Sequence, residues 1–339
     1  VVGEHVGRDR RRNPARSALT AAATVLLIIS ALAVVFRVLP VSTMPQLIVT
    51  VGATFVPFAA LLGLVLAIIC RRRVLSIIAV ALLIATTVVQ WSWFFSGSPT
   101  RLPSAVDVRV LSSNLRYGRA EPTEFVALAT READVVSVVE LTPEAVERFK
   151  QAGIDAAFPY SFVRPGPDPG GTGIWSRYPV TPVTEARHRN ATMPAVRVAV
   201  PGLPAEPVLA AVHVPSPLTG ERNTIADWDQ AMVASKVQLD NFARQAGPAA
   251  VIVGGDYNST PNMRQFRDLL TNGYRDAAEE TGSGFGPTFK ADMALPPMIT
   301  IDHILTRNAA VSSVRTISVK GSDHRALLAT IQLPLDAGA

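Results

Sequence analysis

The chain has 339 residues, 48% of them hydrophobic and 17% charged, with a formal net charge of +5 and a single cysteine. That length exceeds one ordinary domain, and one cysteine excludes both a disulfide scaffold and a multi-cysteine zinc cage. The positive charge is unevenly placed: residues 1–100 hold 9 arginines against 2 acids, whereas the rest of the chain holds 23 basic against 25 acidic residues. The larger part is near neutral and lacks the basic footprint of a nonspecific nucleic-acid binder.

Three apolar stretches come first, at 18–39, 47–70 and 74–95. Each is close to the ~20 residues that carry a helix across a bilayer. Their near absence of charge disfavours buried core helices, and three in succession do not fit a cleaved signal peptide. The pattern predicts three transmembrane helices. Arg8, Arg10, Arg11, Arg12 and Arg16 precede the first, and Arg71, Arg72 and Arg73 join the second to the third. Basic residues favour the cytoplasmic side, so residues 1–17 form a basic cytoplasmic N-terminus and everything after Phe95 is expected outside the cytoplasmic membrane. Trp91 and Trp93 suit an outer aromatic belt, and Cys70 falls at the cytoplasmic end of the second span.

Residues 96–104, SGSPTRLPS, read as a linker. Beyond it, from 105 to 335, apolar strands alternate with amphipathic helices. Strands are predicted at 106–112, 135–140, 172–175, 195–200, 208–213, 249–254, 300–305, 311–319 and 326–332, and helices at 123–131, 143–150, 224–246 and 263–270. Pro143 is acceptable in a first helical turn. Trp228, Met232, Val233, Val237 and Leu239 are expected to form a core stripe on the long helix. Two sheets with helices outside them account for this mixture, and about 235 residues can bury such a core.

Polar residues recur where predicted strands end: Asn114 in SSNLRYG, Glu140 in VVELTPE, His213 in AVHVPSP, Asp256 and Asn258 in GGDYNSTP, Asp302 in IDHIL, and Asp323 and His324 in GSDHRAL. Taken singly, Asn114 is a plausible turn former, Glu140 a helix-start acid, His213 a hydrogen-bonded structural histidine, and Asp256 with Asn258 a turn cap beside permissive glycines. Jointly they supply carboxylate and amide oxygens with imidazoles, at the places where a rigid sheet aims side chains into a cleft. The implied ion is hard and oxygen-loving, Mg²⁺ or Mn²⁺, with Ca²⁺ as an alternative.

The ordered set Asn114, Glu140, GTGIWSRYPV at 171–180, His213, GGDYN, IDHIL and SDH resembles the endonuclease/exonuclease/phosphatase superfamily, whose DNase I-like fold also serves sphingomyelinases and inositol polyphosphate 5-phosphatases. The resemblance runs from about Val106 to Leu333. It implies an α/β architecture: a four-layer α/β sandwich of two mainly antiparallel sheets flanked by helices, here preceded by the three-helix transmembrane region. By the same resemblance, Glu140 is the principal metal ligand, with Asn114 beside it and Asp323 contributing. His324 is general base or phosphate contact, oriented by Asp302. Asp256 positions or deprotonates the attacking water, Asn258 donates to a phosphate oxygen, and His213 protonates the leaving oxygen or stabilises transition-state charge.

Some positions depart from the family pattern. Arg116 stands where several nucleases of the superfamily carry a second acid, which favours single-metal chemistry or a different phosphate contact. Arg177 is a second candidate phosphate contact, with an ordinary strand-end salt bridge as its alternative. Phe289 replaces a common Trp as a packing difference, and His213 stands where abasic-site nucleases tend to carry Tyr. Trp175 is expected in the core, and His188 and His303 in structural or solvent-facing roles. The expected function is a membrane-anchored, metal-dependent phosphoester hydrolase acting outside the cytoplasmic membrane. Its alternatives are an extracytoplasmic nuclease and a catalytically silent binding module of the same fold. The partners implied are the bilayer and a phosphoester substrate: a lipid headgroup, an envelope phosphodiester, nucleic acid or a phosphorylated small molecule. No protein partner is implied.

Overall fold

The computed structural model describes residues 14–95, 101–184, 193–218 and 224–335, except for the side chain of Asp168. Arg8, Arg10, Arg11, Arg12, linker residues 96–100 and His188 lie outside the described residues. The chain divides into two compact units, one drawn from Val1–Leu39 and Ile48–Gln90, the other from Pro40–Leu47 and Trp91–Ala339.

The N-terminal helices expose what a soluble protein buries. Pro14–Val38 is one helix of 25 residues, and Met44–Ile69 a second of 26 residues with a 3-10 turn at Gly52–Phe55. Small side chains, Ala23, Ala60, Gly63 and Ala67 among them, lie at their buried contacts, while Phe58 and Ile77 are each 70% exposed. Small residues inside and large apolar ones outside are the arrangement that suits a lipid solvent. Among the described residues two helices, not the expected three, have spanning length. The third, Arg73–Val88, has 16 residues, which at ~1.5 Å per residue rises about 24 Å against a hydrocarbon core of ~30 Å. It stops short of Phe95 because the chain turns at Val89 and Gln90: the buried Gln90 amide donates to the Ala53 carbonyl (3.1 Å), and Arg37 donates to the Val89 carbonyl (3.1 Å).

The second unit starts earlier than the Gly/Ser/Pro linker suggested. Trp91–Phe94 forms a separate short helix whose Trp93 stacks on Phe285 with ring centroids 5.6 Å apart, and the Trp93 carbonyl accepts from Gly284 N at 2.7 Å. Val41 exchanges hydrogen bonds of 3.1 and 3.0 Å with the Gln265 side chain. These are tertiary contacts that composition does not encode.

Twelve strands build this unit among the described residues: β1 Ala105–Asn114, β2 Val135–Val139, β3 Tyr160–Arg164, β4 Thr172–Ser176, β5 Val180–Pro182, β6 Ala195–Val198, β7 Val208–His213, β8 Val251–Asp256, β9 Arg275–Asp276, β10 Asp302–Arg307, β11 Ala310–Ser318 and β12 Arg325–Pro334. They form two six-stranded sheets of order β11-β12-β1-β2-β4-β3 and β5-β6-β7-β8-β10-β9. β1 pairs parallel with β2 and β7 with β8; every other pairing is antiparallel. β3, β5 and β9 went unpredicted because they are half-exposed or only two or three residues long, too short for periodicity to register.

Alternation along the strands makes the layers. Val108, Val110, Ile174, Leu209, Ile252, Ile304, Ala329 and Ile331 fill the space between the sheets. Leu111, Val136, Val138 and Trp175 face the other way and pack against Phe125 and Phe149 of helices Pro122–Glu132 and Pro143–Gln151. Glu121 and Thr142 cap those helices by accepting from Glu124 N (2.7 Å) and Ala145 N (3.2 Å). Helix Thr224–Ala246 packs against β8 and against helix Arg264–Leu269, completing helix, sheet, sheet, helix. Its buried face runs through Trp228, Ala231, Met232, Ser235, Gln238, Leu239 and Phe242, and Val233 and Val237 are exposed. The 3.6-residue period started at Trp228 carries those two valines round to the solvent side, so the apolar stripe read from type alone was too wide.

Candidate active site

The two parallel pairs set the site. Because β1 runs parallel to β2 and β7 to β8, their C-terminal ends lie side by side, with Asn114 opposite Val139, and His213 opposite Asp256. β10 runs the other way and brings its first residue, Asp302, opposite Asp256. His324 immediately precedes β12, the antiparallel neighbour of β1. Glycines permit the close approach. A Cβ on Gly255 would lie 1.9 Å from the Val212 carbonyl oxygen, and one on Gly254 would lie 2.9 Å from Ser112 Oγ of the opposite sheet. GGD is therefore a strand end that only glycine can bring so near its neighbours.

Asn114 sits at the centre, fully buried. Its Nδ2 donates to Glu140 Oε1 at 2.8 Å and to Asp256 Oδ2 at 3.1 Å, while its Oδ1 accepts from Arg116 N at 2.8 Å. Two carboxylates demand a donor and a backbone N–H demands an acceptor, so these partners fix the amide's orientation. Glu140 follows β2 with φ 57°, a left-handed conformation costly for a non-glycine residue, and its Oε2 accepts from Tyr117 N at 2.7 Å. His213 donates from Nδ1 to the Pro169 carbonyl (2.8 Å), which leaves Nε2 facing Glu140 (3.7 Å) and Asp256 (3.9 Å).

On the other side, His324 Nδ1 lies 2.8 Å from Asp302 Oδ2 and its Nε2 lies 3.8 Å from Asp256 Oδ2. Phe289 covers the imidazole with ring centroids 4.8 Å apart, and Thr288 Oγ1 accepts from the backbone N–H of Asp302 at 3.3 Å. Burial, reinforced by the charge of Asp302, pushes the Asp256 carboxyl up to about 6, against the opposing pull of His324 and His213. Burial disfavours the charged form of His324, but the charges of Asp302 and Asp256 and the hydrogen bond to Asp302 outweigh it and push the imidazole up to about 10.

The remaining sequence candidates are placed differently. Asn258, at φ 45°, accepts the turn: its backbone N–H donates to Asp256 Oδ1 (2.8 Å), and its Nδ2 donates to the Val214 carbonyl (2.8 Å). Asp323 lies at the rim, 3.8 Å from Arg116, rather than with the carboxylates at the centre, and Arg116 pairs with Asp292 at 2.8 Å. Arg177 is a correction. β4 meets β2 with Thr172 opposite Val139 and Ser176 opposite Val135, so Arg177 stands at the far end of the sheet from Glu140, donating to the carbonyls of Ala133 (3.0 Å) and Thr130. His303 is buried, between Asp276 Oδ2 (2.7 Å) and the Ser259 carbonyl (3.0 Å).

Ser322, Thr288 and Asp292 were not singled out in the sequence. Ser322 Oγ donates to the Asn114 carbonyl (2.8 Å) and accepts from His324 N (3.0 Å), tying the end of β1 to the start of β12. Its presence in the quoted SDH was its only signal, and that of Thr288 was its place beside Phe289; Asp292 had none.

Two overlapping groups, Glu140 with His213 and Asp256, and Asp256 with Asp302 and His324, each offer ligand atoms within 4.8 Å of one another. Buried Asp302 Oδ1 has no hydrogen-bond partner. Three carboxylates crowded into one cluster, with a spare oxygen and no thiolate, fit a hard divalent cation.

Residues 111–324 match the model of the Endonuclease/Exonuclease/phosphatase family. No curated protein matches the chain. Among solved structures, truncated TDP2 from Caenorhabditis elegans is 15% identical with a TM-score of 0.51, covering 67% of this chain and 97% of its own. The 3′ phosphatase NExo from Neisseria, bound to a product DNA hairpin, is 16% identical with a TM-score of 0.51, covering 66% and 98%. TDP2 from D. rerio, complexed with single strand DNA product, is 20% identical with a TM-score of 0.50, again covering 66% and 98%. At these identities the likeness is one of fold.

Proposed function

The chain belongs to the Endonuclease/Exonuclease/phosphatase family, and from that premise we propose that it is a membrane-anchored, divalent-metal-dependent phosphoester hydrolase. The observation that carries this reading is the convergence of Asn114, Glu140, His213, Asp256, Asp302 and His324 at one end of both sheets.

In this reading Glu140, steadied by Asn114 and Tyr117 N, holds the cation with Asp256 within reach. A divalent cation held there would supply charge neutralisation for phosphoryl oxygens and the leaving group. Asp256, with a carboxyl near 6, is ionised at neutral pH yet more basic than an ordinary aspartate, which suits it to take the proton from the attacking water. His324, kept charged by Asp302, contacts a phosphate oxygen as a fixed cation and is not free to serve as the base. The water oxygen bonds to phosphorus as the P–O ester bond breaks, and the proton that Asp256 takes from the water is passed across the 3.9 Å to His213 Nε2, which hands it to the departing oxygen. Mg²⁺ is the expected ion, with Mn²⁺ or Ca²⁺ as substitutes.

Residues 14–88 supply the anchor. Which side the second unit occupies depends on helix Arg73–Val88. Val74, Ile77, Ile84 and Val88 are exposed apolar side chains on it, costly to leave in water, and Arg73 and Trp91 can reach the interfaces beyond its ends. We read it as crossing, which puts residues 105–335 outside the cytoplasmic membrane. A reporter fused after Ala339 tests this; activity on the cytoplasmic side overturns it.

The enzymatic claim is tested with the full chain in detergent, assayed on bis-p-nitrophenyl phosphate with Mg²⁺, Mn²⁺, Ca²⁺ and EDTA. Metal-dependent turnover that His324→Ala abolishes is the expected result. Equal rates for the two proteins under every condition leave the silent-module reading. The nuclease reading draws on the DNA products bound in the two structural neighbours, and plasmid cleavage exceeding cleavage of other phosphoesters would favour it.

A further inference from the structure

Residues 289–299 form a loop closed at its neck, where Phe289 and Ile299 exchange backbone hydrogen bonds of 2.9 and 3.0 Å. The loop is fixed to the candidate site at three points. The Phe289 ring lies on His324, Ala291 N donates to the Asp323 carbonyl at 2.6 Å, and Asp292 pairs with Arg116 at 2.8 Å. Beyond these anchors it carries Met293, Leu295 and Met298 at 60, 67 and 51% exposure. They are three of the eight large apolar side chains exposed among the described residues 101–335, gathered within six positions of one another.

Single exposed apolar residues are ordinary, but a cluster on one loop beside a catalytic cleft marks a surface that meets an apolar phase. The only acid of residues 291–298 is Asp292, neutralised by Arg116, and Pro296 and Pro297 stiffen the exposed part. The same chain carries two helices of membrane-spanning length, so the apolar phase within its reach is a bilayer.

We propose that the 289–299 loop is a lipid-contacting element that seats the cleft on a membrane, and that the substrate class is phospholipid. Met293, Leu295 and Met298 take the acyl region, while Arg116 and His324 stand at the depth of the phosphate. Methionine suits such a contact because its unbranched, polarisable side chain adapts to disordered neighbours. An amphiphile with a charged headgroup next to hydrocarbon matches the sequence of surfaces along the loop: paired charges at the base, apolar side chains beyond it. This inference rests on the hydrolase and anchoring readings above.

The test uses the full chain reconstituted in vesicles of phosphatidylglycerol and phosphatidylcholine with Mg²⁺. Hydrolysis of vesicle phospholipid is compared with hydrolysis of bis-p-nitrophenyl phosphate, for the wild type and for Met293→Ser/Leu295→Ser/Met298→Ser. The expected result is at least a tenfold fall in the ratio of lipid to soluble turnover in the triple variant. A ratio within twofold of wild type overturns the proposal. So does a wild type that cleaves the soluble diester or plasmid DNA but no phospholipid. Leu295→Cys in a Cys70→Ala background, labelled with an environment-sensitive fluorophore, gives a second readout independent of turnover. Blue-shifted emission quenched by nitroxide lipids supports the contact, and water-like, unquenched emission overturns it. If the wild type cleaves nothing, the hydrolase reading fails, and with it the assignment of phospholipid as substrate; the label then decides the membrane contact alone.

Discussion

His324 Nδ1 stands 2.8 Å from Asp302 Oδ2, both side chains buried and neither adjacent in sequence. The pair holds an imidazolium where the scissile phosphate is expected. Asp302→Asn removes the largest influence raising the His324 pKa, leaving the charges of Asp256 and Asp323 to oppose burial, so the value of about 10 falls toward the ordinary histidine range. The alkaline limb of kcat/KM is expected to move down toward neutral pH, with activity at pH 8 reduced by about 10- to 100-fold. Stability carries the same sign. A raised histidine pKa stabilises fully below about 6.5 and the benefit is lost as pH rises through about 10. The stability advantage of the wild type over Asp302→Asn should therefore shrink across that window. pH-rate profiles and denaturant melts on both proteins check this; an unmoved alkaline limb counts against the pairing.

Asp256 lies between two histidines and a carboxylate, with burial as the chief cause of its high value. A carboxyl raised to about 6 costs stability above the ordinary aspartate range, and the cost is complete above 6. Asp256→Asn is expected to melt no lower than the wild type at pH 7 while losing on the order of 10³-fold in kcat. The wild-type acid limb should fall near pH 6. A variant that unfolds at ordinary temperature would mean that Asp256 serves the fold.

His303 lies between the buried Asp276 carboxylate and the Ser259 carbonyl, with Phe266 against its ring at 4.1 Å. His303→Ala removes the ring partner of Asp276 Oδ2, while Asp276 Oδ1 keeps its bonds from Ala278 N and Glu279 N. The expected loss is about 1–3 kcal/mol, the cost typical of leaving a buried polar atom without its hydrogen bond, which for a unit of this size lowers Tm by about 3–10 °C. Thermal unfolding of the wild type and variant measures it; a shift under about 2 °C contradicts the pairing.

Arg177→Ala separates fold from chemistry. Because the guanidinium bonds to Ala133 and Thr130 at the end of the sheet remote from Glu140, turnover per folded molecule should stay within about twofold, while stability drops by about 1–2 kcal/mol. Steady-state kinetics beside a denaturant melt decide it, and a tenfold loss of kcat/KM would restore it as a phosphate contact.

Nine of the twelve strands and four of the helices were legible from apolar periodicity, which works where a strand is long and has one buried face. β9, two residues that pair with β10, exists only because its neighbour does. The third membrane-length helix was over-read because the apolar run continues through Trp91–Phe94, whereas Gln90 turns inward to Ala53 and ends the helix. Arg177 was over-read for a related reason: WSRYP follows a strand, and sequence does not say which end of the sheet that strand's end will reach.

The sequence by itself determined the identities in the cluster, their order along the chain and their attachment to strand ends, since each candidate follows or begins a periodic apolar run. Their chemistry, hard oxygen donors with imidazoles and no thiolate, was readable at that level. The tertiary structure decided which of them meet. Two parallel pairings put four strand ends together, antiparallel β10 and β12 return Asp302 and His324 to the same edge, and glycine at 254 lets the sheets close on it while glycine at 255 lets β8 lie against β7. The same packing sent Arg177 to the far end and set Asp323 at the rim with Arg116. It also left Met293, Leu295 and Met298 in solvent beside the cleft. Such separations depend on strand direction and register, which are fixed by long-range hydrogen bonds and core packing rather than by any local stretch of residues.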